Sequence, residues 1–121
     1  MQVNGDQSFK IGGGQNSEIG KTRIAKIGAD DATLVKGKHE LKISKGSLIQ
    51  VGEDSGFIVG KNLTIEAKES ITIKTGSAEI LMKKDGTITI KGKDVNVKGS
   101  GKININASSD ITMKGSEIKQ N

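Results

Sequence analysis

The 121 residues predict an all-β chain of short strands on an eight-residue repeat, with an apolar core shared between copies. Three observations carry that prediction. Val or Ile recurs at every eighth position from 3 to 59. A second apolar or small residue stands two places before each, so the pairs alternate as on one face of a strand. Only 32% of residues are apolar, and Phe9 and Phe57 are the only aromatics. That is too little for one chain to bury a core against its conformational entropy.

The repeat is explicit from the first residues. Val3, Ile11, Ile19, Ile27, Val35, Ile43, Val51 and Val59 form one column. The chain holds 23 Val plus Ile in 121 residues, so eight in a row by chance has a probability of about two in a million. Met1, Phe9, Ser17, Ala25, Thr33, Leu41, Ile49 and Phe57 form the column two places earlier. One place after the Val/Ile column come Asn4, Gly12, Gly20, Gly28, Lys36, Ser44, Gly52 and Gly60. The unit is apolar-x-apolar-Gly followed by four polar residues. β-branched residues suit strands, and glycine is expected to give the backbone freedom to turn out of each one.

Residues 1–60 are therefore expected to be a strict octad array. Residues 61–62 are expected to be a register break, since the next step, Val59 to Ile65, is six. Residues 63–121 are expected to be a looser octad array, with pairs Leu63/Ile65, Ile71/Ile73, Ile80/Met82, Ile88/Ile90, Val95/Val97, Ile103/Ile105 and Ile111/Met113. Steps between the second members are 8, 9, 8, 7, 8 and 8. Lys-Gly-Ser recurs at 45–47, 98–100 and 114–116, between pairs, and Asp85-Gly86 reads as a turn. A helix reading fails, because apolar residues do not recur at i, i+3, i+4 and glycine is frequent in every window. A fixed short period means a stack in which no unit buries its face alone. Two inward side chains per octad cannot enclose a core in one chain; three chains, each giving one short strand per layer, can. The predicted axial core is Val3, Ile11, Ile19, Ile27, Val35, Ile43, Val51, Val59, Ile65, Ile73, Met82, Ile90, Val97, Ile105 and Met113, with the outward side chains polar.

Composition excludes several function classes. No Cys is present, so there is no disulfide and no thiol chemistry. The longest apolar runs are three residues, and "MQVNGDQSFK" has neither the basic nor the apolar region of a signal peptide. The net charge of +5 is spread along the chain, which favours solubility first and anionic partners second.

The octad pattern, and above all the run "EILMKKDGTITIKGKDVNVKGSGKININASSDITMKGSEIKQN" (79–121), resembles the C-terminal needle of VgrG-type spike proteins of the bacterial type VI secretion system. Related needles occur on the spikes of contractile-tail phages. The resemblance covers essentially the whole chain. It implies a homotrimeric, intertwined triple-stranded β-helix, a needle or β-prism, that punctures membranes when a sheath contracts. It also implies a PAAR-type tip protein or effector on the blunt C-terminal end, where Ser116, Glu117, Ile118, Lys119, Gln120 and Asn121 would dock it. Assembly in the bacterial cytoplasm, then delivery into a target cell, follows from the same likeness. Spikes of this family carry upstream domains that 1–121 does not encode, so Met1 is expected to begin a fragment or replace a native residue. Some phage needles end in a histidine-bound metal; the only histidine here, His39, is mid-chain, and that site is not carried over.

Motifs for chemistry are few. "GKT" at 20–22 resembles a phosphate loop, but that motif needs Gly where Gln15 stands, and Gly14 is one place off. "IGGGQNSEIG" (11–20) lacks dinucleotide-binding spacing and a βαβ context. His39 beside Glu40 has no second histidine or clustered partner. Asp30 and Asp31 read as turn residues rather than cation ligands. Lys74, Lys83, Lys91, Lys98 and Lys114 each follow a strand pair and, with Glu66, read as a solvated face; nucleic-acid binding would want aromatics among them. Thr64, Thr72, Thr89 and Thr112 face outward between paired apolar residues, and Asn96 and Asn104 interrupt any threonine ladder. No enzyme, cofactor or metal is therefore expected, and no nucleic-acid partner. The expected function is a mechanical spike needle, with a trimeric shaft for receptor binding or adhesion as the alternative.

Overall fold

Bends set the rhythm of the backbone. In the computed structural model, which describes residues 1–121, they fall at 4–5, 12–13, 20–21, 28–29, 36–37, 44–45, 52–53, 60–61 and 68–69. Each bend directly follows a member of the Val/Ile column, up to Val59. Six extended residues therefore alternate with two bent ones. The fold is all-β and contains no helix.

The chain divides into two units, Met1–Gly52 and Glu53–Asn121. In the first, extended arms and bends alternate without a single paired strand. In the second, the same arms and bends flank a three-stranded antiparallel sheet: β1 (Ser70–Thr75), β2 (Ala78–Lys83) and β3 (Ile88–Lys91), in the order β1-β2-β3. After it the bends resume at 93–94, 100–101, 108–109 and 116.

The glycine column has a different meaning from the one expected. Only Gly76 and Gly86 take positive φ, at 53° and 92°. The glycines that follow the Val/Ile column do not, and a Cβ on any of them would meet nothing within 4 Å in the chain. Lys36 and Ser44 occupy the same bend position without strain. Left-handed backbone is thus not the reason for glycine there.

The step of six at 59–65 also acquires a physical account. The bends run on unbroken at 60–61 and 68–69. What moves is the apolar pair within each arm. Up to Val59 the bulky residues stand immediately before the bend and two places earlier. From Leu63 onward they stand three and five places before it, as in Leu63/Ile65, Val95/Val97, Ile103/Ile105 and Ile111/Met113. The place before the bend then holds Ala67, Gly99, Ala107 or Gly115. A shift of two keeps the pair on the same face of the arm. At Gly99 a side chain would be crowded: a Cβ there would lie 3.0 Å from Cγ1 of Ile103, four residues on. From Val3 to Val51 the residue four after each column member is polar or small, from Gln7 and Gln15 to Ser47 and Ser55; Val59, at the change of frame, is followed by Leu63.

Residues 70–91, assigned above to the looser octad array, form the antiparallel meander instead. Their steps of eight and nine count strand, turn and strand rather than arm and bend. Gly76-Ser77 closes the first hairpin as a two-residue loop, with positive φ at Gly76 alone, the pattern of a type II′ turn. The second turn is the expected Asp85-Gly86 one. Gly86 N donates to Lys83 O at 3.0 Å, Lys83 N to Thr87 O at 3.0 Å, and Gly86 sits in the left-handed region. Lys84 N donates to Glu69 O at 3.0 Å, and Lys84 Nζ pairs with Glu69 Oε2 at 3.1 Å, so the β1–β2 ladder gains one further rung.

The Gly99–Ile103 contact yields a prediction. Gly99→Val should lower the thermal midpoint of the assembled protein, and adding Ile103→Ala should restore part of the loss. The coupling expected in a double-mutant cycle is about 1 kcal/mol or more; additive effects would show that the two positions do not compete for one space.

Candidate functional site

Functional features here are faces rather than clefts, and they arise from alternation. In the meander, Ile73 stands opposite Ile80 and Ile80 opposite Ile90; Ile71 stands opposite Met82 and Met82 opposite Ile88. Residues directly opposite each other share a face. Two rows of three, Ile73–Ile80–Ile90 and Ile71–Met82–Ile88, therefore make one apolar sheet face. The other face carries Thr72–Leu81–Thr89 and the row Lys74–Glu79–Lys91, in which the middle carboxylate stands between two ammonium groups. Lys83, opposite Ser70, lies on that polar face as well.

The structure brings together three of the predicted axial residues in this way: Ile73 and Ile90 flank Ile80, and Met82 lies in the adjoining row. Within the chain none of the fifteen is buried, and no residue of any kind is. Ile71, Leu81 and Met82 are half-buried in the sheet. The column Val3 to Val59 keeps a nearly constant exposure, between 40% at Val59 and 56% at Ile27. That constancy is the signature of one local geometry repeated eight times. The chain exposes 13857 Å² of solvent-accessible surface, against roughly 6,200 Å² for a folded monomer of this mass and roughly 18,400 Å² for the unfolded chain.

Four residues depart from the polar exterior expected from alternation. Ile24, Leu34, Leu48 and Ile58 occupy the opposite face of their arms, and Ile58 is 98% exposed. They are the only large apolar residues at even positions in 1–60, and they form two pairs, Ile24/Leu34 and Leu48/Ile58, that repeat after 24 residues, three octads. Counting even positions would have found them in the sequence. The Gly76-Ser77 loop was legible too, as a two-residue Gly-Ser step between alternating runs.

The predicted docking residues Ser116–Asn121 make no strand pairing. Ser116 bends the chain, Lys119 Nζ lies 3.7 Å from Glu117 Oε2, and Ile118 is exposed. Their backbone donors and acceptors stand open. Elsewhere, Glu40 Oε1 takes Lys38 Nζ at 2.8 Å, so the carboxylate beside His39 is engaged by a lysine. No group of three or more metal-ligating side chains gathers. Two open depressions, of about 250 Å³ along Ile73–Ile80 and about 450 Å³ along Phe57–Glu66, have no convergent polar groups.

One carboxyl is electrostatically tuned. The Thr87 amide donates to Asp85 Oδ1 at 2.9 Å and holds that carboxyl below its ordinary value of 3.8. Hydrogen bonding to the charged form favours it. The contribution is therefore present above pH 3.8 and is lost as pH falls through the lower folded value. The Thr87 amide shift, followed by NMR, should titrate with a midpoint under 3.8, and Asp85→Ala should abolish that titration. A midpoint at or above the ordinary value would contradict the capped turn.

Comparison with known proteins places part of this chain beside one relative. No protein-family model matches it. A stretch of 36 residues is 53% identical to the type VI secretion system spike protein VgrG1b of Pseudomonas aeruginosa. The match spans 30% of this chain and 5% of that protein, so the likeness is to a short piece of a much longer polypeptide.

Proposed function

We propose, from the premise of that likeness to a spike protein, that the chain is one strand of a homotrimeric, intertwined triple-stranded β-helix. The rod it forms is a non-enzymatic needle that punctures a target membrane when a contractile apparatus drives it forward. The observation that carries this reading is the absence of any buried residue beside a repeated apolar face on a polar chain. A chain with about twice the exposed surface of a folded monomer needs partners of its own kind along its whole length. Threefold sharing brings Val3 to Val59 and their successors to a common axis. Burial there contributes about 0.8 kcal/mol per methylene. Contacts shared among three chains leave no subunit free to peel away, so unfolding is slow. Outward Lys74, Lys83 and Lys91 keep the exposed strands soluble.

The open backbone at 116–121 is the proposed seat of a tip protein or effector of PAAR type, because an unpaired strand end accepts another β-structure by strand addition. In this reading the rod is assembled in the bacterial cytoplasm and leaves it on firing. A receptor-binding shaft would share the trimer; the likeness to a spike protein favours the needle.

Light scattering after size exclusion should give three times the 12.7 kDa chain mass; a monomer or dimer at micromolar concentration would refute the rod. Ile43→Asp would gather three carboxylates in an apolar interior and should abolish assembly, while Thr72→Asp, on the polar sheet face, should be tolerated. Equal effects would refute the facing assigned to the arms. For the tip, deletion of residues 114–121 should leave the trimer intact and abolish capture of a cognate PAAR-type protein. Capture that persists would move the docking site elsewhere.

A further inference from the structure

The octad array has a weakness that its regularity creates. If one chain of a bundle slides by eight residues, Val/Ile meets Val/Ile again at seven of the eight positions in 3–59. A repeating face of this kind specifies its own register poorly. Something outside the repeat must fix it. The period breaks at two places: the step of six at 59–65, where the rhythm of bends continues, and the meander, where it does not.

We infer that the apolar face of the β1–β2–β3 meander docks against the same face of two further copies, and that this contact nucleates assembly and sets chain register. The inference rests on the trimer proposed above. Three features single out the meander. First, every backbone–backbone hydrogen bond within the chain lies between Glu69 and Lys91. It is therefore the part that one chain can order before meeting another. Its loops of two and three residues make closure local and fast. Second, an isolated sheet of this size is marginal until its apolar face is covered, and nothing else in the chain covers it: Ile73, Ile88 and Ile90 are each more than half exposed.

Third, the area fits. The six residues Ile71, Ile73, Ile80, Met82, Ile88 and Ile90 present on the order of 400 Å² of apolar surface per copy. Three copies present on the order of 1,200 Å², the lower bound of a stable specific interface. The rows Ile73–Ile80–Ile90 are chemically uniform, so identical faces complement one another without burying a charge. The charged row Lys74–Glu79–Lys91 stays on the far side. A slip of one octad would slide each face off its counterparts. The meander thus penalises the error that the arms tolerate, and arms zip outward from it in both directions.

The test uses the full chain, refolded from denaturant at one fixed concentration. Three backgrounds are compared: the native sequence, Ile80→Ser with Met82→Ser in the sheet, and Ile43→Ser with Val51→Ser in the arms. Trimer formation is followed by light scattering. Register is read by refolding Ile19→Cys and Ile27→Cys chains together in each background; the chain has no cysteine of its own, and a mixed disulfide forms only between chains one octad out of step. The sheet variant should assemble more slowly by about tenfold or more, while the arm variant should assemble near the native rate and unfold faster. Mixed disulfides should be confined to the sheet variant. A sheet variant that never assembles beside an arm variant that does also supports the inference. Equal slowing of both variants, or a sheet variant that assembles without mixed disulfides, overturns it and leaves the trimer standing. A native chain that remains monomeric overturns the trimer and this inference with it.

Discussion

Unpaired backbone governs this molecule. Outside 69–91 no amide or carbonyl finds a backbone partner in its own chain, and an extended arm of six residues has no way to provide one. Such groups are tolerable in water but not in an interior without partners. One face of each arm is apolar and the other mostly polar, while backbone partners pair with an extended arm along its edges. The period of eight, the small residues at the shifted positions and the polar exterior fit the proposed completion of the arms by other chains.

Within that constraint the chain uses two apolar frames on one backbone rhythm. In 1–59 the bulky residue precedes the bend, as Ile43 precedes 44–45; from Leu63 on, the bulk moves two residues back and Ala67, Gly99, Ala107 and Gly115 take its place. At 99–103 the two frames compete for one space, because Ile103 lies where a side chain at Gly99 would stand. Between Ala67 and Val95 the meander interrupts the rhythm altogether. It replaces unpaired arms with a sheet that pairs internally and leaves one apolar face exposed.

Much of this was legible from residues alone, and the failures have physical causes. The column of eight Val and Ile residues predicted the extended arms and their spacing, because each bend directly follows a member of it. The six-residue step at 59–65 was visible, but only the bends at 60–61 and 68–69 show that it is a displacement of side chains over an uninterrupted backbone. The meander was mistaken for octads because two short hairpins return an apolar pair every eight or nine residues, as an arm and bend do. Asp85-Gly86 was recognised as a turn; Gly76-Ser77, equally plain, would have shown that Ile71/Ile73 and Ile80/Met82 run antiparallel. Glycine after the Val/Ile column was credited with backbone freedom that Lys36 and Ser44 show to be unnecessary. Ile24, Leu34, Leu48 and Ile58 stand at even positions, which the odd-numbered repeat does not reveal.

The unbroken spacing of the bends has a consequence for how such a molecule can change length. Each arm and bend is a repeating module about 20 Å long in its extended part. Removing or duplicating eight residues between Val3 and Val59 would leave every remaining side chain on its proper face and every bend in phase. An insertion of one residue would invert all that follows, and one of two would shift bulk toward or away from the bends. Length is therefore quantised. A lineage could tune the reach of this chain by copying octads, one module at a time, while point insertions of other sizes would be purged.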